Sequence, residues 1–313
     1  MLALKFFGAG EAYYDGQPLP GFPNQQAYHL FCYLVLNRGY PLCRDRLAAV
    51  FWEDQPASTA RKLLSKALWR LRNALQTAGA PADAYLLIDK DQLSFLESPA
   101  CQLDIDIFDR AITRCQHVAG PELSEQQAAD LVDVVSLYTG DLLEGVYEDW
   151  VIYERERLSV LHLKTLQKLM AYHEYHGAYE YAITLGERIL YHDKAHEKTH
   201  QQMMRLHWLM GDRGAAMAQY KRCAQILKEE TGFMPTPETK RLYQEMARNQ
   251  YDPRLGLPLS AYAHTPPPSE EALQEMMAKA LRKLSRLQQA VEETSTELHH
   301  LENLISLTLA RTK

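Results

Sequence analysis

The alternation of hydrophobic and polar residues predicts short strands, then three helices, then a hairpin. Residues 2–22 have the alternation and the glycine and proline turns of short strands. Hydrophobic residues then recur at helical spacing in three segments, which are 25–37, 44–52 and 57–78. Two more short strands, 85–88 and 92–96, surround the turn at residues 89–91. This order of elements predicts a winged helix over residues 1–98.

Beyond residue 104 the pattern is helical, and part of it repeats. Gly177 and Gly211 lie 34 residues apart between helical segments, and Ala182 and Ala216 share that offset. Thirty-four residues is the period of tetratricopeptide repeats, in which each helix pair buries its apolar face against the next pair. We therefore predict a tetratricopeptide-like helical domain over residues 99–250.

The end of the chain carries a heptad pattern behind a proline-rich linker at residues 251–268. Hydrophobic residues recur at the a and d positions from 277 to 308. We predict a coiled-coil helix over residues 269–313 that makes the protein a homodimer. The residues of the predicted self-association seam are Leu284, Leu287, Val291, Leu298, Leu301 and Ile305. The alternative is a single helix docked on its own protein. The predicted fold class is mostly α with a small β component.

The helix predicted over residues 57–78 has two unlike faces. Its apolar residues share one side, and the segment has five basic residues and no acidic one. Such a helix fits the major groove of DNA, where lysine and arginine neutralise phosphates or pair with guanine. An ordinary solvated face would normally mix charge signs and would not expose a tryptophan. The predicted DNA-binding residues are Ser58, Arg61, Lys62, Ser65, Lys66, Trp69, Arg70, Arg72 and Asn73, with Lys90 at the hairpin tip.

Charge and cysteine content limit the class of protein. The net charge of −6 comes from the middle of the chain, because residues 1–98 carry 10 basic and 9 acidic residues, whereas residues 99–250 carry 17 and 23. The five cysteines are scattered and include no CxxC pair, which is typical of a reducing compartment. The sequence shows no leader pattern and no apolar run of the ~18–20 residues that a membrane helix needs. We expect a cytoplasmic, nucleoid-associated protein without a membrane segment.

Two other patterns invite a chemical interpretation that their surroundings do not support. The segment 8–10 (Gly-Ala-Gly) lacks the third glycine and the following helix of a dinucleotide site. His196, His200 and His207 have helical spacing, but no further Cys or Asp pattern completes a metal site. Since no catalytic constellation is present on an identifiable loop, we predict neither an enzyme nor a bound cofactor or metal.

A series of motifs resembles the SARP-type (antibiotic-regulatory) transcriptional activators. The winged helix resembles the OmpR-type domain of that family at residues 44–47 (RDRL), 51–56 (FWEDQP) and 60–72 (ARKLLSKALWRLR). The helical part resembles its bacterial transcriptional activator domain at residues 104–108 (DIDIF), 138–143 (YTGDLL), 154–158 (ERERL) and 229–239 (EETGFMPTPET). Residues 40–43 replace the usual Ser or Thr helix cap, Asp193-Lys194 replaces a common Asp-Pro, and the C-terminal helix lies outside the usual pattern.

The resemblance implies double-stranded DNA and RNA polymerase as partners. It also implies that the loop before the DNA-reading helix faces the transcription machinery, with Glu53 and Asp54 as the polymerase-contact residues. The helical domain would serve protein or effector contacts. The alternative function is a helical-repeat scaffold or ligand sensor whose winged helix binds protein rather than DNA.

Overall fold

The N-terminal sheet joins the two ends of the winged-helix segment. The computed structural model describes residues 1–19, 25–96 and 100–251. Its first sheet contains β1 (Leu2–Lys5), β2 (Glu11–Tyr14), β3 (Gln17–Pro18) and β7 (Cys101–Leu103) in the order β3-β2-β1-β7. β1 pairs antiparallel with β2 and parallel with β7, which was not predicted. Leu2 and Leu4 alternate with more exposed neighbours, so one face of β1 joins the core.

Three helices and a small second sheet complete the winged helix. The helices are α1 (Gln25–Leu36), α2 (Arg44–Phe51) and α3 (Ala57–Thr77), each within a residue of its predicted bounds. The second sheet has the order β4-β6-β5, with the strands β4 (Leu42–Cys43), β5 (Leu86–Ile88) and β6 (Gln92–Phe95). β5 and β6 form the predicted hairpin, which is the wing. No side chain caps the start of α2, as expected from residues 40–43.

The helical part begins directly after β7. Its helices are α4 (Asp104–Arg114), α5 (Glu125–Leu137), α6 (Asp149–Tyr175), α7 (Tyr179–His192), α8 (Glu197–Leu209), α9 (Arg213–Thr231) and α10 (Pro237–Ala247). Gly177 and Gly211, with φ of +75° and +81°, each make the short turn between two packed helices. Ala182 and Ala216 are fully buried at the matching positions of α7 and α9. The helix pairs α6–α7 and α8–α9 therefore have their turn glycines and buried alanines at the 34-residue offset of the sequence.

One of the apolar clusters is shared by both predicted domains, and the repeat helices have clusters of their own. Phe7, at the end of the first strand, packs its ring 5.1 Å from Phe108 and 4.8 Å from Tyr138. The buried carboxylate of Asp104 accepts a hydrogen bond from the Phe7 N–H at 3.0 Å. Arg155 donates to the carbonyls of residues 142, 143 and 146 and so fixes the loop that pairs with Phe7. Residues 1–253 accordingly form one compact unit. The predicted coiled coil and its seam lie outside the described residues.

Candidate nucleic-acid interface

Helix α3 presents a continuous polar surface on the side away from the core. Ala60, Leu64, Leu68, Leu71 and Leu75 are buried at helical spacing, which fixes the rotation of the helix. The opposite side carries exposed side chains that we call the reading surface, namely Ser58, Lys62, Ser65, Lys66, Trp69 and Asn73. Six of the ten residues predicted to bind DNA therefore lie together on one exposed face.

Trp69 differs from the other tryptophan of this region in its exposure. Trp52 is 7% exposed, and its indole N–H donates to the side-chain oxygen of Gln26 at 3.2 Å. Trp69 is 66% exposed. A single exposed aromatic residue is common on protein surfaces, so the position of Trp69 is the informative feature: it lies on the same exposed face as Lys62 and Lys66.

The five cations of α3 fall into two groups. The Arg61 guanidinium donates two hydrogen bonds of 2.7 Å to the two carboxylate oxygens of Asp45 on α2. Arg72 donates to Asp83, in the short 3-10 turn before the wing, at 2.7 Å. The hydrogen bond from Arg61 lowers the pKa of Asp45. Within the described parts of the chain, the remaining cations have no ion pair, and these are Lys62, Lys66 and Arg70.

A residue that the sequence did not single out joins the wing to the reading surface. Arg44, the first residue of α2, donates to the Ser65 hydroxyl at 3.2 Å and to the Asp89 carbonyl at 3.5 Å. Its backbone N–H donates to the carbonyl of Asp91 at 3.0 Å. Lys90, between these two aspartates, is exposed at the wing tip. Arg44 lay within the family-like RDRL segment, but only the fold brings it between helix and wing.

The loop between α2 and α3 is exposed and rests on an aromatic cluster. Glu53 and Asp54 are both exposed. Just before them, the Phe51 ring lies 5.5 Å from Tyr33 and 6.2 Å from Trp150 at the start of α6. The residue just before the acidic loop is thus held against the start of α6.

Two of the three histidines considered as metal ligands, His196 and His200, are hydrogen-bonded within the chain. His200 is fully buried, with Nε2 2.9 Å from the Lys194 carbonyl and Nδ1 2.8 Å from the Gln219 amide. His196 contacts Gln167 and Thr199. Among the described residues, no group of three His, Cys, Asp or Glu side chains is placed to hold a metal ion. Nor does that part of the chain contain a helix long and apolar enough to cross a membrane.

Comparison with known proteins identifies the helical part. The family model described as "Bacterial transcriptional activator domain" matches residues 103–247. Curated relatives include the transcriptional regulatory protein EmbR of Mycobacterium bovis and of Mycobacterium tuberculosis. Each is 25% identical to this chain over 240 residues, covering 75% of this chain and 61% of the relative. The chain therefore spans about three fifths of the length of these regulators.

A solved structure shares the fold. Mycobacterium tuberculosis EmbR in complex with a low affinity phosphopeptide superposes with a TM-score of 0.64 at 21% identity, over 81% of this chain and 67% of that one. The domain match, the regulator relatives and the common fold agree with the motifs in the sequence. Residues 103–247 thus carry a bacterial transcriptional activator domain, and together these findings support the resemblance of the chain to the SARP-type transcriptional activators.

Proposed function

We propose that this regulator binds promoter DNA in a sequence-specific manner by placing α3 in the major groove and that it positions RNA polymerase there. The observation that carries the proposal is the reading surface, an exposed face without acidic residues on a helix that is followed by a wing. The major groove admits an α-helix, and lysine side chains there reach phosphates and guanine edges. Such a protein acts in the cytoplasm on the nucleoid and needs no catalytic residues.

The roles of the individual side chains follow from their positions. Lys62 and Lys66 lie about one helical turn apart on the same face. Both side chains therefore contact the same stretch of the groove, at its phosphate wall or at the base edges. Trp69, three residues further, meets a thymine methyl or the sugar wall, where its apolar ring leaves water. Lys90 at the wing tip reaches the backbone beside the groove, in the manner of a phosphate contact that positions the domain without reading sequence.

The dependence of binding on salt concentration tests the proposal. Neutralising each phosphate contributes about 0.9 to the slope of log K against log salt concentration. We expect the full chain to bind duplex DNA with a slope of several units, and Lys66→Ala to flatten it by about one unit. Lys221→Ala removes an exposed lysine from α9 and should leave the slope unchanged. A winged helix that docks on protein instead would show no steep slope and no effect of Lys66→Ala.

The acidic loop suits a protein partner rather than DNA. Glu53 and Asp54 repel phosphates. Trp150, whose ring lies 6.2 Å from Phe51 before this loop, is flanked in the chain by Tyr147 and Tyr153, which are 85% and 79% exposed. Substituting Glu53 and Asp54 by Ala should lower promoter output in a reconstituted transcription assay while leaving DNA affinity nearly unchanged. Tyr153→Ala tests the same surface, and Tyr191→Ala is its control, because Tyr191 is 82% exposed on α7. An equal loss of DNA affinity and output would contradict a polymerase contact.

The heptad residues remain the basis for proposing a homodimer. A parallel pair of helices buries a and d residues that one helix alone leaves in water. Light scattering should give a dimer mass for the full chain and a monomer mass for a chain ending at Pro268. Equal monomer masses would mean that the C-terminal segment serves another contact.

A further inference from the structure

Two of the five cations on α3 are neutralised by carboxylates from other elements. Asp45 stands on α2 and Asp83 in the turn that precedes the wing, so neither belongs to α3 itself. Both pairs lie at the surface: Arg61 and Asp45 are 61% and 60% exposed, and Arg72 and Asp83 are 44% and 77% exposed. Water screens exposed pairs, so their contribution to folding is small. Their placement beside the reading surface suggests another role.

The two neutralised arginines lie on the same flank of the reading surface. They are 11 residues apart, so they differ by about 20° in rotation and by roughly 16 Å along the helix axis. Arg70 on the opposite flank has no ion pair among the described residues. The two arginines on this side of α3 are thus both paired with carboxylates, while Lys62 and Lys66 between the flanks, and Arg44 of α2, which donates to Ser65, have no ion pair among the described residues.

A carboxylate resembles a phosphate in what it offers an arginine. Both present two anionic oxygens that accept the parallel N–H groups of the guanidinium fork. The Arg61–Asp45 pair has this fork geometry, with both distances 2.7 Å. An arginine held in this way gains little from a phosphate, because one anion replaces another. Non-specific DNA affinity, which arises from phosphate neutralisation and counterion release, is then reduced.

We propose that Asp45 and Asp83 act as phosphate substitutes that keep Arg61 and Arg72 from neutralising DNA phosphates, and that they thereby lower the regulator's sequence-independent affinity for DNA. This inference rests on the proposed DNA-binding function. The paired arginines would add equally to binding of every sequence, whereas Lys62 and Trp69 contact base edges. Holding the arginines back therefore lowers the affinity for every sequence by a similar factor and leaves the preference for the regulator's own site to Lys62 and Trp69.

Conservative substitutions of the two aspartates test this idea on the full chain. Asp45→Asn and Asp83→Asn keep the side-chain shape and remove the charge. Binding is measured to a random-sequence duplex, and to a duplex enriched by in vitro selection, at several salt concentrations. Each variant should steepen the salt slope on both duplexes by about 0.9 and should raise affinity for the random duplex roughly threefold or more at low salt. The ratio between the affinities for the selected and the random duplex should stay unchanged, because phosphate contacts carry no sequence information.

Two controls separate release of an arginine from a simple change of local charge. Asp91→Asn removes an exposed carboxylate of the wing that has no ion pair among the described residues, and it should leave the slope at the wild-type value. Arg61→Ala should abolish the gain produced by Asp45→Asn when the two are combined, since coupled residues behave non-additively.

Three results would overturn the inference. One is an equal steepening by Asp91→Asn, and another is an unchanged slope for both aspartate variants. The third is weaker binding of Asp45→Asn to every duplex, which would mean that Asp45 holds Arg61 in its DNA-binding position. If the wild-type chain itself shows no salt-dependent binding, the proposed function fails instead, and the two cases are distinguishable.

Discussion

Helices α3 and α8 are both amphipathic, but they use their polar residues in opposite ways. On α8, the polar side chains are engaged inside the chain: His200 is hydrogen-bonded through both ring nitrogens, and Glu197 accepts bonds from Thr236 at 2.7 and 2.8 Å. On α3, the side chains of Lys62, Lys66 and Asn73 are exposed and form no hydrogen bond with the described residues.

The difference shows which polar residues are available to a partner. Burial raises the pKa of the Glu197 carboxyl, but hydrogen bonds from Thr239 and Thr236 outweigh it, and the pKa lies below its usual value. That carboxylate therefore holds α10 against α8 and has a structural task. Lys62, Lys66 and Asn73 of α3, whose side chains form no hydrogen bond with the described residues, have no such structural task. The two helices look alike in hydrophobic periodicity, and only the positions of their partners separate them.

The largest effect is expected from removing a polar group that the fold uses. His200→Ala leaves a cavity at a fully buried position and deprives the Lys194 carbonyl and the Gln219 amide of their partner. We expect the free energy of unfolding to fall by about 2–4 kcal/mol. Denaturant titration measures this loss. DNA affinity of the folded protein should not change, and the half-buried His207→Ala should have a much smaller effect on stability. A loss of DNA affinity with unchanged stability would reverse the roles of the two helices.

On α3, substitutions should weaken DNA binding and leave the stability of the fold nearly unchanged. Lys62→Ala should weaken binding to the preferred site by about 1–3 kcal/mol and relax its specificity, if Lys62 pairs with guanine edges. Trp69→Ala should weaken binding without unfolding the domain, because the exposed ring makes little contribution to the core. Gel-shift assays of both variants measure the DNA affinity, and their melting temperatures measure the stability of the fold. Wild-type DNA affinity in these two variants and in Lys66→Ala would favour the scaffold function.

A smaller, pH-dependent effect on stability is expected from His162 on α6. His162 is buried with its ring 4.1 Å from Tyr138 and 5.5 Å from His192. Burial, followed by repulsion from His192 and Arg188, lowers the pKa of His162 to about 3. The unfolded chain takes up a proton near pH 6.5. Stability from the neutral ring is therefore complete above that pH and is lost as the pH falls from about 6.5 toward 3.

Between pH 7 and pH 5 the loss from His162 should be about 1–2 kcal/mol. His162→Phe keeps an aromatic ring in place of an imidazole whose Nδ1 has no hydrogen-bond partner, and it should remove this part of the pH dependence. Exposed His117→Ala should retain it. Denaturation midpoints at several pH values measure the effect, and equal pH dependence in His162→Phe and wild type would contradict it.

The sequence by itself determined the helices, the wing and the face of α3 that is exposed. These are local properties: the buried leucines of α3 repeat every three or four residues, and that periodicity fixes which side faces the core. The 34-residue offset of Gly177 and Gly211 is local in the same sense, because it recurs within one helix pair and the next. Hence Lys62, Lys66 and Trp69 could be placed together before the fold was known.

Only the tertiary structure decided which of those residues have partners. Asp45 precedes Arg61 by 16 positions, and Asp83 follows Arg72 by 11 across a turn. The hydrogen bond from Phe7 to Asp104 and the pairing of β1 with β7 connect residues nearly a hundred positions apart. Periodicity gives the rotation of one element and carries no information about its neighbours in space. The unpaired lysines and the paired arginines look alike in the sequence, and packing alone makes them different.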